Sequence, residues 1–167
     1  MRELAGRMGL DHPLGDNPAK ELAVRIQGRV PDVWGAEGIG SVAAARWKTQ
    51  MNENAKLPAF ASSLPELDHN EVVGWSADAG HAFVVVALRH AMEHPDVSAR
   101  FPLSLDIALR AGAMAEEVWA VGPSPLSQLL SLVLAGDFAS AYLAVLRKID
   151  PTPVDAIEAL KRALAEP

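Results

Sequence analysis

Cysteine is absent from the 167 residues. That excludes disulfides, thiolate metal sites and thiol catalysis together. Aromatic residues are scarce, at 5%. The four tryptophans, Trp34, Trp47, Trp75 and Trp119, are scattered, which suits core or interface positions better than a stacking platform. Positive charge is in deficit, 15 Lys and Arg against 21 Asp and Glu, for a net charge of −6. A nucleic-acid or anionic-membrane surface is therefore not expected, although a few local basic groups can still hold one small anion. No apolar run reads as long enough to span a bilayer. The first twenty residues contain Glu3, Asp11 and Asp16 and lack a long apolar stretch, so no secretory signal is expected. What is present is a globular balance, 50% hydrophobic and 22% charged. Such a chain fills one domain with one sizeable core. Composition implies a cytoplasmic protein and no particular activity.

Punctuation along the chain is clear in places. Asn17 and Pro18 open a helix that Gly28 ends. Val30 to Trp34 is a short β-prone run, followed by a Gly-rich turn from Gly35 to Ser41. Val42 to Asn54 reads as a helix with Ala44, Trp47, Lys48 and Met51 on one face. The stretch Ala55 to Trp75 has no clean period. It allows a strand near Leu57–Ala61 or Val72–Trp75. His81 to Arg89 is apolar on both pleat faces, as in a buried parallel strand. Ser98 to Ala113 reads as a helix with Phe101, Leu105, Ala108 and Leu109 inward. Glu117 to Val121 reads as another strand. A long helical region from Pro125 to Lys148 is expected to break near Gly136-Asp137. Asp150-Pro151-Thr152-Pro153 is a second breaker, and Val154 to Leu164 is a final amphipathic helix. Strands alternating with helices predict an α/β, three-layer sandwich with a mostly parallel sheet flanked by helices. Ligands in such sheets sit beyond the carboxyl ends of the strands. The turns after Trp34 and Val121 belong at that edge.

Two stretches carry chemistry. The Gly35–Ser41 turn offers backbone N–H groups and a helix dipole to an anion. Its spacing matches neither the dinucleotide fingerprint nor a P-loop, and an ordinary tight turn explains it as well. The second stretch is Arg46-Trp47-Lys48-Thr49-Gln50-Met51-Asn52-Glu53-Asn54-Ala55-Lys56, followed by Pro65-Glu66-Leu67-Asp68-His69-Asn70-Glu71. A surface helix accounts for Arg46, Lys48 and Lys56. It accounts poorly for Asn52 and Asn54 around Glu53, because Asn is a mediocre helix former. His12, His90 and His94 read as loop or surface residues. No histidine has zinc-ligand spacing, so neither a metal nor a cofactor is expected.

Those motifs, with Asn17-Pro18-Ala19-Lys20 and Val72-Val73-Gly74-Trp75, resemble the bifunctional phosphoglucose/phosphomannose isomerases. That family is built from two sugar-isomerase (SIS) domains. The tail, Asp150-Pro151-Thr152-Pro153-Val154 to Leu160-Lys161, is similar to the family's tail. The resemblance runs from about Asn17 to Lys161 and covers the C-terminal SIS half alone. The family's other half carries the Ser/Thr-rich loop that binds the sugar phosphate. Residues 1–16 then read as a linker or tail, and 17–167 as a single SIS-like domain.

The resemblance implies an aldose–ketose isomerase that interconverts glucose 6-phosphate or mannose 6-phosphate with fructose 6-phosphate through an enediol. Glu53 matches the family's catalytic base, and His69 the histidine that assists ring opening. Lys161 matches a lysine near the substrate. Asn52, Asn54, Asn70 and Thr152 are the implied substrate-binding residues, while Glu71 belongs to the motif without a role. A base of this kind is useful when partial burial tunes it upward from about 4.3. The implied partners are a sugar 6-phosphate and either a second copy in a homodimer or a separate N-terminal SIS-domain chain. The competing reading is a non-catalytic sugar-phosphate-binding or structural SIS module.

Overall fold

The computed structural model describes residues 1–76, 78 and 80–165. A short helix α1 (Arg2–Arg7) precedes α2 (Pro18–Ile26). Asn17 caps α2 as expected, its Oδ1 accepting from the Ala19 and Lys20 N–H groups at 3.1 Å. The same Asn17 donates to the Gly9 carbonyl at 2.9 Å. Met8 is buried, and its carbonyl accepts from the Tyr142 hydroxyl at 2.6 Å. The segment read as linker or tail is thus docked on the domain.

Four strands follow: β1 (Val30–Ala36), β2 (Phe60–Leu64), β3 (Phe83–Arg89) and β4 (Met114–Trp119). They form one sheet in the order β2-β1-β3-β4, with every pair parallel. The connections are α3 (Ile39–Glu53) after β1, a 3-10 turn (Glu66–His69) and the short α4 (Glu71–Gly74) after β2, and α5 (Pro95–Ser98) with α6 (Phe101–Arg110) after β3. The long α7 (Pro125–Leu146) and α8 (Asp155–Ala165) complete the chain.

Pleat alternation builds two cores. Val33, Val84, Val86 and Leu88 pack under α2, α3 and α7. Trp34, Val85 and Ala87 pack on the other face with Phe101, Leu105 and Ala108 of α6. The sandwich expected from the sequence is the fold observed.

Several boundaries differ from expectation. The strand allowed within Ala55–Trp75 is β2, Phe60–Leu64, which overlaps one of the two candidate stretches. The other candidate, Val72–Trp75, lies mostly in α4. His81 lies in a 3-10 turn, Gly80–Ala82, and β3 begins after it. The last strand starts at Met114, earlier than the Glu117 expected, and as an edge strand it is only half-buried. Ser98–Ala113 contains only one full helix, α6, and Leu109 faces solvent because the inner stripe is Phe101, Leu105 and Ala108. Lys48 is likewise exposed. His90, read as a surface residue, is buried at 4% exposure.

Helix α7 is unbroken through Gly136-Asp137. A Cβ on Gly136 would lie 2.5 Å from the Trp47 Nε1. The glycine is there so that the indole can reach the Leu132 carbonyl, at 2.7 Å. Asp137 binds the Gln50 amide at 2.5 Å and so ties α7 to α3. Contrary to the sequence expectation, α7 is long and apolar enough, by length and composition, to cross a membrane. Here it is the central helix against α2 and α3.

Candidate functional site

The Gly-rich turn lies at the carboxyl edge of the sheet, as expected. A Cβ on Gly35 would collide with the Gly40 carbonyl group. This pair of glycines lets the end of β1 touch the start of α3, and Gly38 turns the chain at φ +88°. Its sequence is therefore accounted for by packing.

The residues read as a site divide into two groups. The first gathers where α3 ends, at the amino edge of the sheet. Glu53 is the last residue of α3 and its carboxylate is exposed. Asn52 Oδ1 accepts from the Ala59 N–H at 3.1 Å, fixing the entry to β2. Asn54 Nδ2 donates to Ser140 Oγ of α7 at 2.9 Å. Asn52 and Glu53 line a cleft of about 580 Å³ with Lys56, Asp150, Pro153 and the first turn of α8. Thr152 sits in the same breaker, its N–H donating to Asp150 Oδ1 at 2.9 Å. That bond, the Thr152 hydroxyl and the Lys56 charge hold the Asp150 carboxyl below its ordinary range. Lys161 lies on α8, which buries none of its residues.

Lys56 is not on a surface helix, as the sequence suggested. It follows the end of α3 with φ +51°. Its Nζ donates to the carbonyls of Glu53 (2.6 Å), Pro151 (3.1 Å) and Pro153 (2.6 Å). Both ends of this clamp lie in stretches that the sequence singles out, but nothing in their spacing joins Lys56 to Pro151 and Pro153.

The second group follows β2. Leu64 ends β2 beside Ala36, so the 3-10 turn Glu66–His69 starts at the carboxyl edge. His69 ends that turn and is exposed. Asn70 Oδ1 caps α4 through the Glu71 N–H, and its Nδ2 donates to Glu66 Oε1 at 3.1 Å. Glu71 Oε2 accepts from Ser62 Oγ at 2.5 Å, pinning α4 onto β2. Leu67 is buried in the α6-side core, while Met51 of α3 is buried in the other. Glu53 and His69 therefore lie on opposite faces of the sheet and toward opposite edges. Strand β2 spans most of the gap between them, roughly 15 Å. One copy of the chain does not bring the two together.

Two buried polar features escape the sequence reading. Arg89 is enclosed between the rings of Phe101 (4.1 Å) and Trp119 (4.7 Å). It pairs with Glu93 at 2.9 Å and Glu117 at 2.8 Å. Asp32 is buried in β1, and burial raises its pKa to about 6, against the opposing hydrogen bond from Trp34 Nε1. Neither looks chemical from sequence, because each belongs to an ordinary strand.

Residues 15–164 match the family model for the bacterial phospho-glucose isomerase C-terminal SIS domain. The chain belongs to that family. This SIS domain is 34% identical to a bifunctional phosphoglucose/phosphomannose isomerase of Caldicellulosiruptor bescii, over 99% of its own length and 50% of the relative's. It is 38% identical to the Aquifex aeolicus protein of the same name, over 87% of its length and 45% of the relative's. The domain thus spans about half the length of these curated relatives. Among solved structures, a glucose-6-phosphate isomerase-like protein from Thermus thermophilus superposes with a TM-score of 0.74 at 24% identity. It covers 89% of this chain and 50% of the other. Escherichia coli tagatose-6-phosphate ketose/aldose isomerase superposes with a TM-score of 0.58 at 17% identity, over 83% of this chain and 41% of its own. At these identities, both share the fold.

Proposed function

We propose that this SIS domain is the catalytic C-terminal half of an aldose–ketose isomerase acting on glucose 6-phosphate, mannose 6-phosphate and fructose 6-phosphate. The reading is carried by one observation. The exposed Glu53 carboxylate lines a cleft that also takes in the loop before α8, the helix that bears Lys161. In this reading Glu53 removes the C2 proton of the open-chain aldose. An enediolate forms, with Lys161 as its cationic neighbour. The O2 proton passes to O1, and the conjugate acid of Glu53 returns its proton to C1, giving the ketose. His69 assists ring opening by giving a proton to the ring oxygen and taking one from the C1 hydroxyl. Asn52, Asn54, Asn70 and Thr152 are assigned to the substrate's hydroxyls in this reading, although each holds a bond within the chain.

The separation of His69 from Glu53 supports one way for it to take part. Because the sheet separates it from Glu53 of the same chain, His69 serves the Glu53 of a second copy in a dimer. A covering partner also supplies the burial that an exposed glutamate lacks and that a carbon base needs. The phosphate is held by a second SIS domain, on the same or another chain. The favouring observation is local: the Lys56 ammonium spends all three donors on carbonyls, while Glu53, Asp150 and Asp155 make the cleft acidic.

The test is fructose 6-phosphate in D₂O with the purified chain, alone and with an N-terminal SIS domain from a relative, followed by proton NMR. Deuterium at C1 of the ketose or C2 of the aldose is expected in the mixture and is lost with Glu53→Gln. Absence of exchange in both samples overturns the reading.

A further inference from the structure

We propose that Lys56 is a positioning residue that sets where α8, and with it Lys161, stands relative to Glu53. Three observations converge on it. First, Lys56 has φ +51°, a left-handed conformation that costs a side-chain-bearing residue about 1 kcal/mol or more. Glycine fills such a position freely. A lysine held there by its surroundings points to work done by its side chain. Second, an ammonium has three donors, and all three are used. One goes to the carbonyl of Glu53, an unpaired group at the negative end of α3. Two go to the carbonyls of Pro151 and Pro153 in the strap that leads into α8. The lysine thus joins the residue proposed as base to the segment that carries the proposed lysine. Third, α8 has little else to hold it. It buries no residue, and among the described residues its side chains make no hydrogen bond or ion pair.

The lever arm gives the clamp its importance. Lys161 stands six residues into α8, about 9 Å along its axis. A tilt of about 20° at the strap displaces Lys161 by about 3 Å, enough to remove a well-placed cation from a reacting oxygen. Pro151 and Pro153 narrow the strap's own freedom, and the bonds from Thr152 to Asp150 stiffen it further. The clamp then selects one direction for the helix. The consequence for catalysis rests on the reading of Glu53 and Lys161 given above. The positioning itself does not, and the experiment reads position directly.

The absence of cysteine permits clean labelling. Thr49→Cys on α3 and Arg162→Cys on α8, both exposed, carry nitroxide labels, and the sample is diluted with unlabelled chain so that intrachain distances are read. Pulsed dipolar spectroscopy is expected to give one narrow distance distribution with Lys56 present. Lys56→Met is expected to widen it about twofold or more, and Lys56→Arg, which keeps a charged multiple donor, to restore much of the narrow form. Lys56→Gly relaxes the left-handed backbone and removes only the clamp, so it guards against a misfolded Met variant and is also expected to widen the distribution. A wild-type distribution in both the Met and Gly variants, with unchanged circular dichroism, overturns the proposal. Lack of isotope exchange at the sugar carbons, with the Lys56 effect intact, removes the isomerase reading and leaves the positioning role standing.

Discussion

Asp32 shows how one residue works against the fold it belongs to. One of its oxygens accepts from Trp34 Nε1 at 2.9 Å and the other has no partner. Burial raises its pKa from 3.8 to about 6. In the unfolded chain the proton leaves near pH 4, whereas the folded protein keeps it to about pH 6. Between those values the native state binds more protons, so stability falls as pH rises, and the loss is complete above about pH 6. A shift of about two units corresponds to about 3 kcal/mol. Asp32→Asn keeps an acceptor for the indole and removes the charge. Its melting temperature is expected to exceed wild type at about pH 7.5 and to match it near pH 3.5. Thermal unfolding across that range checks this, and a lower Tm at the alkaline end would contradict it. Glu93 behaves in the opposite sense. The ion pair with Arg89 and the His90 N–H hold its carboxyl below the ordinary range despite burial. Its contribution is present above the unfolded pKa and is lost as pH falls through the folded one.

At the scale of elements, α3 and α7 explain each other. Trp47 is fully buried, and the absence of a side chain at Gly136 gives its indole room. Gly136→Ala is expected to destabilise the domain by about 1–3 kcal/mol, because the added methyl meets a packed indole. That cost outweighs the gain of about 1 kcal/mol that alanine brings to a free helix. Urea unfolding with an unchanged m-value checks it, and a stabilised variant would show that the indole moves without cost. The glycine misleads the sequence reading for the same reason. Helix propensity marks it as a break, whereas a contact from another helix decides its identity. A related effect hides the start of the last strand. On a half-buried edge, Glu116 and Glu117 are permitted, so the alternation that marks a strand is faint. Helices with their own punctuation, such as α2 behind Asn17 and Pro18, are legible directly.

At the scale of the whole molecule, the sheet keeps Glu53 and His69 apart. In the proposed dimer, each site takes Glu53 from one copy and His69 from the other. Glu53→Gln and His69→Gln chains are then each inactive alone. Co-refolded in equal amounts with the phosphate-holding domain, they form heterodimers with one intact site each. About a quarter of wild-type exchange is expected from random pairing. No recovery above the single variants contradicts the shared site.

The sequence by itself determined the layer architecture and the family. Both are written in local terms: period-2 apolar runs, capped helices, and motifs of contiguous residues. It also placed Glu53 and His69 in motifs that resemble an isomerase site. Only the tertiary structure decided that these two residues lie across the sheet from each other, that Lys56 clamps the strap before α8, and that Gly136 and Asp137 serve packing. The clamp and the Gly136 contact join groups distant along the chain, whereas Glu53 and His69, close in sequence, are parted by the strand that runs between them. Spacing along the sequence carries no record of such contacts, because the chain passes through the sheet plane between one motif and the next.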